Sequence, residues 1–449
     1  MKTLIRNGLL IDPANRTEAK LNLVLENGKV SMVTAGEPEA DEVIDASGMV
    51  VAPGFLDIHM HEDPVGEDGK IKPCIYNTMV RMGVTTVLAG NCGENKYHPA
   101  DQLDIADRDG IPVNLAMLAG HGWFRQQAGA TDKYAKITPE QLGTMKEEMR
   151  KALDRGLAGI SFGIRYIPGI TKEELLETAE LCKKDDKMLA AHIRDDAAYV
   201  FDAAREFLDA AKELGLSAEV SHIGSMAGFG QMKEFLRMVD EYRMNGLRVT
   251  CDCYPYYAFC TGIGETTYDD GFLERYQTDY SSIEMCEGKY KGQRCTKEIF
   301  DEMRRDDPEA LTVCYVMKKE DVDLAFHDPG VMLGSDGTLD DGQGHPRAAG
   351  AFPRLIAEFV RAGKISMYEA INKMTAMPAE KIGLKSKGRL SVGADADLVI
   401  FDPETIADSA TFAEPLLPPV GIERVMIGGK TAVLRGEIVD GRLGRSVRK

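Results

Sequence analysis

Short, near-continuously apolar runs alternate with amphipathic segments through most of the chain, and that alternation limits the folds open to it. These β-like runs are Thr85–Leu88, Val113–Leu118, Gly159–Phe162, Met188–His192, Ala218–His222, Leu247–Cys251 and Val331–Gly334. Strands read this way when helices cover both sides of a parallel sheet. Between them lie segments with helical spacing of apolar residues, such as Pro139–Leu153, Lys172–Lys184 and Ala197–Leu214. Strand–helix repetition of this number predicts an α/β chain closed into a (β/α)8 TIM-like barrel rather than an open sheet. No internal sequence repeat or low-complexity tract interrupts it.

The two ends read differently. Residues 1–52 alternate short β-like runs (Leu4-Ile5, Leu23–Leu25, Val30–Val33) with turns such as Asn27-Gly28, and residues 389–449 return to β patterning in Gly393–Phe401 and Val425–Lys430. Both ends are expected to build one small β-sandwich domain beside a barrel of residues 53–388. Residues 262–330 break the barrel rhythm with aromatic, acidic and cysteine-bearing segments, and predict an insertion that covers the barrel mouth.

Composition narrows the partners. The net charge of -18 and pI near 5.0 argue against nucleic acid or an anionic membrane surface, because both select a basic footprint. No apolar stretch approaches the roughly 20 residues of a membrane span, and Met1–Gly8 lacks a signal-peptide layout. The expectation is a cytoplasmic protein acting on a small molecule, with self-association into a homo-oligomer left open. Nine scattered cysteines fit reduced thiols rather than a disulfide framework.

Polar residues at the strand ends carry the chemistry. In Gly54-Phe55-Leu56-Asp57-Ile58-His59-Met60-His61, residues two apart on extended backbone face the same way, so His59 and His61 emerge together. Cys92, His192, His222 and Asp336 each stand at or just past the C-terminal end of a later predicted strand. A lone histidine there is usually a packing residue. Four histidines, a thiol and a carboxylate converging on the catalytic face of a barrel predict a metal site. Imidazole and thiolate suit Zn2+, which in catalytic sites keeps three protein ligands and an open position. Cys92, His192 and His222 are candidates for a tight zinc site. His59, His61 and Asp336 either hold a weaker second divalent cation or hydrogen-bond around the first. Asp336 is also the candidate general acid/base, able to take a proton from water and pass it to a leaving nitrogen.

The chain resembles the amidohydrolase superfamily. Within it, Gly83–Val87 with Gly90-Asn91-Cys92-Gly93, Gly120-His121-Gly122, Gly159-Ile160-Ser161, Tyr166–Gly169, His192-Ile193-Arg194, Tyr254-Pro255-Tyr256 and His345-Pro346-Arg347 are similar to the N-acyl-D-amino-acid deacylases, over nearly the whole length. The resemblance implies a zinc hydrolase that splits the acyl-amide bond of an N-acyl-D-amino acid or related N-acyl amine. It places the tight ligands at Cys92, His192 and His222, the weaker position at His59 and His61, and the acid/base at Asp336. No lysine follows the fourth strand, where hydantoinase-type relatives carry a bridging ligand. Departures bear on substrate. Gly224 stands where the deacylases carry a carboxylate-gripping lysine, Cys260-Thr261 where they have Ser-Thr, and Arg165 where a glutamate is common. If Gly224 is the sole obstacle, a lysine there should restore turnover of ordinary N-acyl-D-amino acids.

Arg194, Tyr254 and Arg347 are candidates for orienting a substrate carboxylate or carbonyl, and His121 for polarising the carbonyl, with salt bridges and backbone contacts as the plain alternatives. Trp123-Phe124 either walls an acyl pocket or packs in the core. His98 and His327 read as surface or capping residues, and Cys251 and Cys253 as packing. Two other functions stay open on sequence: a cyclic-amide hydrolase of the hydantoinase or dihydroorotase type, and a non-catalytic scaffold on the same fold.

Overall fold

A computed structural model describes residues 2–449. Eight parallel strands follow one another in chain order around a single sheet. They are Phe55–Asp57, Val84–Ala89, Asn114–Gly120, Gly159–Gly163, Met188–His192, Ala218–Val220, Val249–Cys253 and Val331–Leu333. Every residue of these strands is buried except Thr250, which is half-buried, as expected of a sheet covered on both faces. Helices follow the strands, among them Pro139–Asp154 and Val200–Leu214. The first begins at a capping box in which the Thr138 hydroxyl accepts from the Gln141 N–H and Gln141 Oε1 accepts from the Thr138 N–H. The second ends on Gly215, whose left-handed backbone (φ 71°) closes the last turn.

The barrel closes at a seam that matters for function. The eighth strand meets the first through a bridge between Met60 and Gly337 rather than a full ladder. The Asp336 N–H donates to the His59 carbonyl at 2.8 Å, and the His61 N–H to the Gly337 carbonyl at 2.9 Å. Asp57 accepts the Ser335 N–H across the same seam. Residues nearly 280 positions apart in sequence thus share one edge.

Strands from both chain ends interleave beside the barrel. Val50–Pro53 pairs antiparallel with Leu398–Phe401 in a seven-stranded mixed sheet, and Lys2–Arg6 lies in a four-stranded one. Ile5, Leu10, Leu23, Val51, Leu398 and Met426 fill the space between them. Beyond the seventh strand the chain forms a three-stranded antiparallel sheet of Phe259–Gly262, Leu311–Cys314 and Ile283–Met285. This excursion starts at Phe259, three residues before the expected 262, and gives way to the barrel well before 330. Helix Lys319–His327 buries Val322, Ala325 and Phe326 and packs on helix Met232–Met244 and the eighth strand, so it is the barrel helix of its unit. Among the described residues no helix is long and apolar enough to cross a membrane.

Candidate metal centre

His59, His61, Cys92, His192, His222 and Asp336 all stand on the C-terminal rim of the barrel. Their backbones are unusual. Cys92 (φ 54°), His222 (φ 35°) and Asp336 (φ 50°) adopt left-handed conformations that non-glycine residues rarely hold, each in the turn directly after a strand. The Cys92 turn is held by side chains from three directions. Glu62 accepts the Gly90 N–H at 2.9 Å, Ser161 accepts the Gly93 N–H at 3.0 Å, and Asn91 donates to the Leu88 carbonyl. Gly163 is required here, because a Cβ on it would collide with the Cys92 carbonyl oxygen.

The donor atoms converge. Cys92 Sγ lies 3.4 Å from His59 Nε2 and 3.4 Å from His222 Nε2. Ligands at zinc bond lengths in a tetrahedron are separated by about 3.5 Å, so this spacing suits one ion. The far nitrogens are committed elsewhere. His59 Nδ1 lies 3.1 Å from Asp252 Oδ2. Ser225 Oγ donates to the His222 carbonyl and so accepts from His222 Nδ1 at 3.0 Å. Each pairing fixes the tautomer that leaves Nε2 free for a metal. A second group overlaps the first: His59, His61 and Asp336, with His61 Nε2 3.2 Å and His59 Nε2 3.5 Å from Asp336 Oδ1.

This regroups the expected ligands. His59 joins Cys92 and His222 in one close donor set, instead of standing apart in the weaker one. His192 lies outside both sets, but its ring centroid is 4.5 Å from that of His222 and its two buried nitrogens have no partner. Buried imidazole nitrogens left unsatisfied are costly, and a cation among these rings would satisfy one of them. The chemistry of the set, one thiol with several imidazoles, therefore fits zinc.

Electrostatics favour the neutral, ligating imidazoles. Burial drives His59 down to about 3 and His222 to about 4, and holds His192 well below the usual imidazole range, so all three are neutral at pH 7. Burial pushes the Cys92 thiol well up, a form a cation would reverse. Burial also raises Asp336, but Arg347 and then the neighbouring histidines outweigh it and hold the carboxyl well below the usual range. Arg347 Nη1 is 2.9 Å from Asp336 Oδ2, and its guanidinium stacks over the Tyr254 ring at 4.5 Å.

Several sequence candidates sit elsewhere. Arg194 is engaged by Glu206 at 2.7 and 2.8 Å and by the Pro168 and Ile170 carbonyls, which makes it a loop clamp and corrects its reading as a substrate ligand. His121 is fully buried behind the site, with Nε2 3.1 Å from Glu174 Oε1 and Arg125 on the same oxygen, so it has no route to a substrate. Tyr254 is also fully buried, with its ring against the Arg347 guanidinium. Trp123 and Phe124 pack against His98, whose Nδ1 caps helix Pro99–Asp109. Gly224 points away from the opening: a Cβ there would meet Cys253 Sγ and Met317 at 3.0 Å. Replacing Gly224 alone therefore has no space to restore a carboxylate grip, contrary to expectation. Asp252, Glu62 and Ser225 were not singled out from the sequence. Asp57, Glu62 and Asp252 carry the usable signal of carboxylates beside predicted ligands on buried strands, obscured for Asp252 by the flanking Cys251 and Cys253.

Two cavities open onto the donors. A narrow inner one, lined by Tyr166, His192, Phe259, Thr267 and Tyr276 among others, leads outward to one of about 240 Å³ bounded by His61, Glu94, Glu265, Glu309 and Arg347. Phe259–Thr261 form part of the wall, so the excursion beyond the seventh strand contributes residues to it.

The sequence pattern of the Amidohydrolase family matches residues 42–166 and 324–433. A D-aminoacylase of Alcaligenes xylosoxydans xylosoxydans is 30% identical over 95% of this chain and 93% of its own. An N-acyl-D-glutamate deacylase of the same organism is 30% identical over 99% and 96%. The crystal structure of an N-acyl-D-glutamate deacylase from Bordetella bronchiseptica, complexed with zinc and a phosphonate mimic of the tetrahedral intermediate, superposes with a TM-score of 0.86 at 29% identity, covering 100% of this chain and 99% of that one.

Proposed function

The chain belongs to the amidohydrolase family, and from that membership together with the donor geometry we propose that it is a zinc-dependent deacylase that hydrolyses the acyl-amide bond of N-acyl-D-amino acids. The observation that carries the reading is the approach of His59 Nε2 and His222 Nε2 to 3.4 Å from Cys92 Sγ, with Asp336 alongside. Cys92, His59 and His222 would hold the ion, with the unpartnered His192 as a further ligand and His61 with Asp336 facing a second, weaker position. Zinc in such a site polarises an acyl carbonyl and makes water a stronger acid.

The protein's own groups do the rest. Asp336 is held ionised by Arg347 and faces the cavity, so it can take a proton from the attacking water and deliver it to the leaving nitrogen as the C–N bond breaks. The products are a carboxylate and a free D-amino acid. Arg347 has a second part, since its Nε carries no hydrogen bond and is available to a substrate oxygen at the cavity wall. Tyr254, beneath that guanidinium, keeps it in place. The cyclic-amide reading is weaker, because the fourth strand runs into Gly163-Ile164-Arg165, and Arg165 is directed at Asp195, 3.0 Å away, rather than at the donors.

The direct test is zinc content and amine release measured together. Purified protein should hold stoichiometric zinc and release amine from N-acetyl-D-amino acids but not their L forms, and Cys92→Ala should lose most of both. A fully metallated, active Cys92→Ala enzyme, or turnover confined to hydantoins, would reject the assignment.

A further inference from the structure

The outer cavity has a charge distribution that the reaction itself does not need. Its wall carries Glu94, Glu265, Glu309 and Asp340 beyond the metal-side Glu62 and Asp336. Glu62 is consumed by the Gly90 and Lys96 N–H groups and by Asn95. Opposing cations are few. Arg347 is paired with Asp336, Lys96 makes no ion pair with the wall, and Lys133 approaches Glu265 only to 3.9 Å with both side chains partly exposed. No lysine or arginine lines the inner cavity.

The carboxylates come from separate parts of the chain. Glu94 lies two residues past Cys92 and leans to 3.8 Å from His61 Nδ1. Glu265 and Glu309 come from opposite ends of the excursion, brought together where the Gly264 N–H donates to the Pro308 carbonyl at 2.7 Å. Burial and then the charge of Glu94 raise Glu265 to about 7, against an opposing pull from Lys133, as expected of carboxylates that face one another. A second observation is independent of them. Arg347 is 1% exposed, borders the same cavity and, with Nη1 paired to Asp336, keeps Nε without a hydrogen-bond partner. The same cavity wall therefore offers the Arg347 Nε–H to an anion and a set of carboxylates to a cation.

The geometry points to N-acyl-D-amino acids with a basic side chain, lysine- or arginine-like, as the substrate class of this centre, with Arg347 meeting the α-carboxylate and Glu94, Glu265 and Glu309 meeting the side-chain cation. The inference rests on the deacylase reading and adds its specificity. An acidic side chain would enter a wall of like charge, and a neutral one would leave the carboxylates unpaired.

The test uses zinc-loaded protein with N-acetyl-D-lysine, N-acetyl-D-arginine, N-acetyl-D-leucine and N-acetyl-D-glutamate. kcat/KM for the basic pair should exceed that for leucine about tenfold and that for glutamate about a hundredfold, and raising salt to roughly 0.5 M should narrow the gap. Glu265→Gln with Glu309→Gln should reduce the lysine-to-leucine ratio about tenfold, and Glu265→Lys should move the preference toward glutamate. Equal or better turnover of the neutral or acidic substrate by the unmodified enzyme overturns the inference and leaves the deacylase function standing. Release of amine from none of the four overturns both.

Discussion

Cys92, His222 and Asp336 share a left-handed backbone, which for residues other than glycine costs on the order of 1–3 kcal/mol each. That cost is offset by the bonds holding each turn, and it aims three side chains back over the strand ends instead of along them. Asp252 shows how far such support extends. It receives the His222 N–H at 2.9 Å and faces His59 Nδ1, so one carboxylate orients two donors of the same set. Asp252→Asn should weaken zinc binding about 10- to 100-fold in a competitive chelator titration while the fold stays intact; unchanged affinity would remove Asp252 from the centre. Arg194 is a contrasting case. Arg194→Ala should lower stability by about 1 kcal/mol in urea unfolding and leave KM within about twofold; a large rise in KM at unchanged stability would return it to the substrate. Glu265 gives a pH dependence with a defined sign. Its pKa is raised to about 7 by burial and by Glu94 and Glu309, against Lys133, so in the folded protein it is mostly protonated below pH 7. Affinity for a cationic substrate should therefore rise between about pH 6 and 8, in step with its ionisation, and that rise should vanish in Glu265→Gln. The same raised pKa means the group's contribution to stability is present at low pH and lost as pH rises through about 7.

At the scale of elements, the position of each donor follows from where its strand stops. His192 is the last residue of the fifth strand, whereas Cys92, His222 and Asp336 lie two or three residues past theirs. Runs of buried β-branched and apolar residues make these strands recognisable in sequence, and the donors mark their ends. The amphipathic segments were legible for the same reason, though Lys172–Lys184 proves to be an α-helix only to Ala179 before tightening into a 3-10 turn. Thr138→Ala removes the capping box of helix Pro139–Asp154 and should reduce stability by about 1 kcal/mol without changing kcat, since the helix lies outside the barrel. A loss of activity larger than the loss of folded protein would contradict that separation. The excursion beyond the seventh strand was the least legible element. Its aromatic residues pack mainly on one another, as Phe272 and Phe300 do at 5.3 Å, so they carry no barrel periodicity.

For the molecule as a whole, an ion at His59, Cys92, His192 and His222 would draw on four barrel units and should couple binding to folding. Stripping zinc with a chelator should lower the melting temperature by a few degrees, as expected when a ligand at about a hundred times its Kd adds roughly 2.7 kcal/mol to the folded state. Readdition of zinc should restore it; an indifferent melting curve would mean that the donors hold no resident ion. The sequence alone determined the barrel, the β-structured ends and the identity of the rim donors, because burial periodicity and strand-end placement are local properties written within a few residues of each other. Which donors stand together was decided only in three dimensions. The seam between the first and eighth strands sets His59 and His61 against Asp336, and Asp252 turns His59 toward Cys92 and His222, across separations that no local pattern encodes. The charge of the cavity wall has the same origin, since Glu94, Glu265 and Glu309 come to line one cavity only when the barrel and the excursion have folded together.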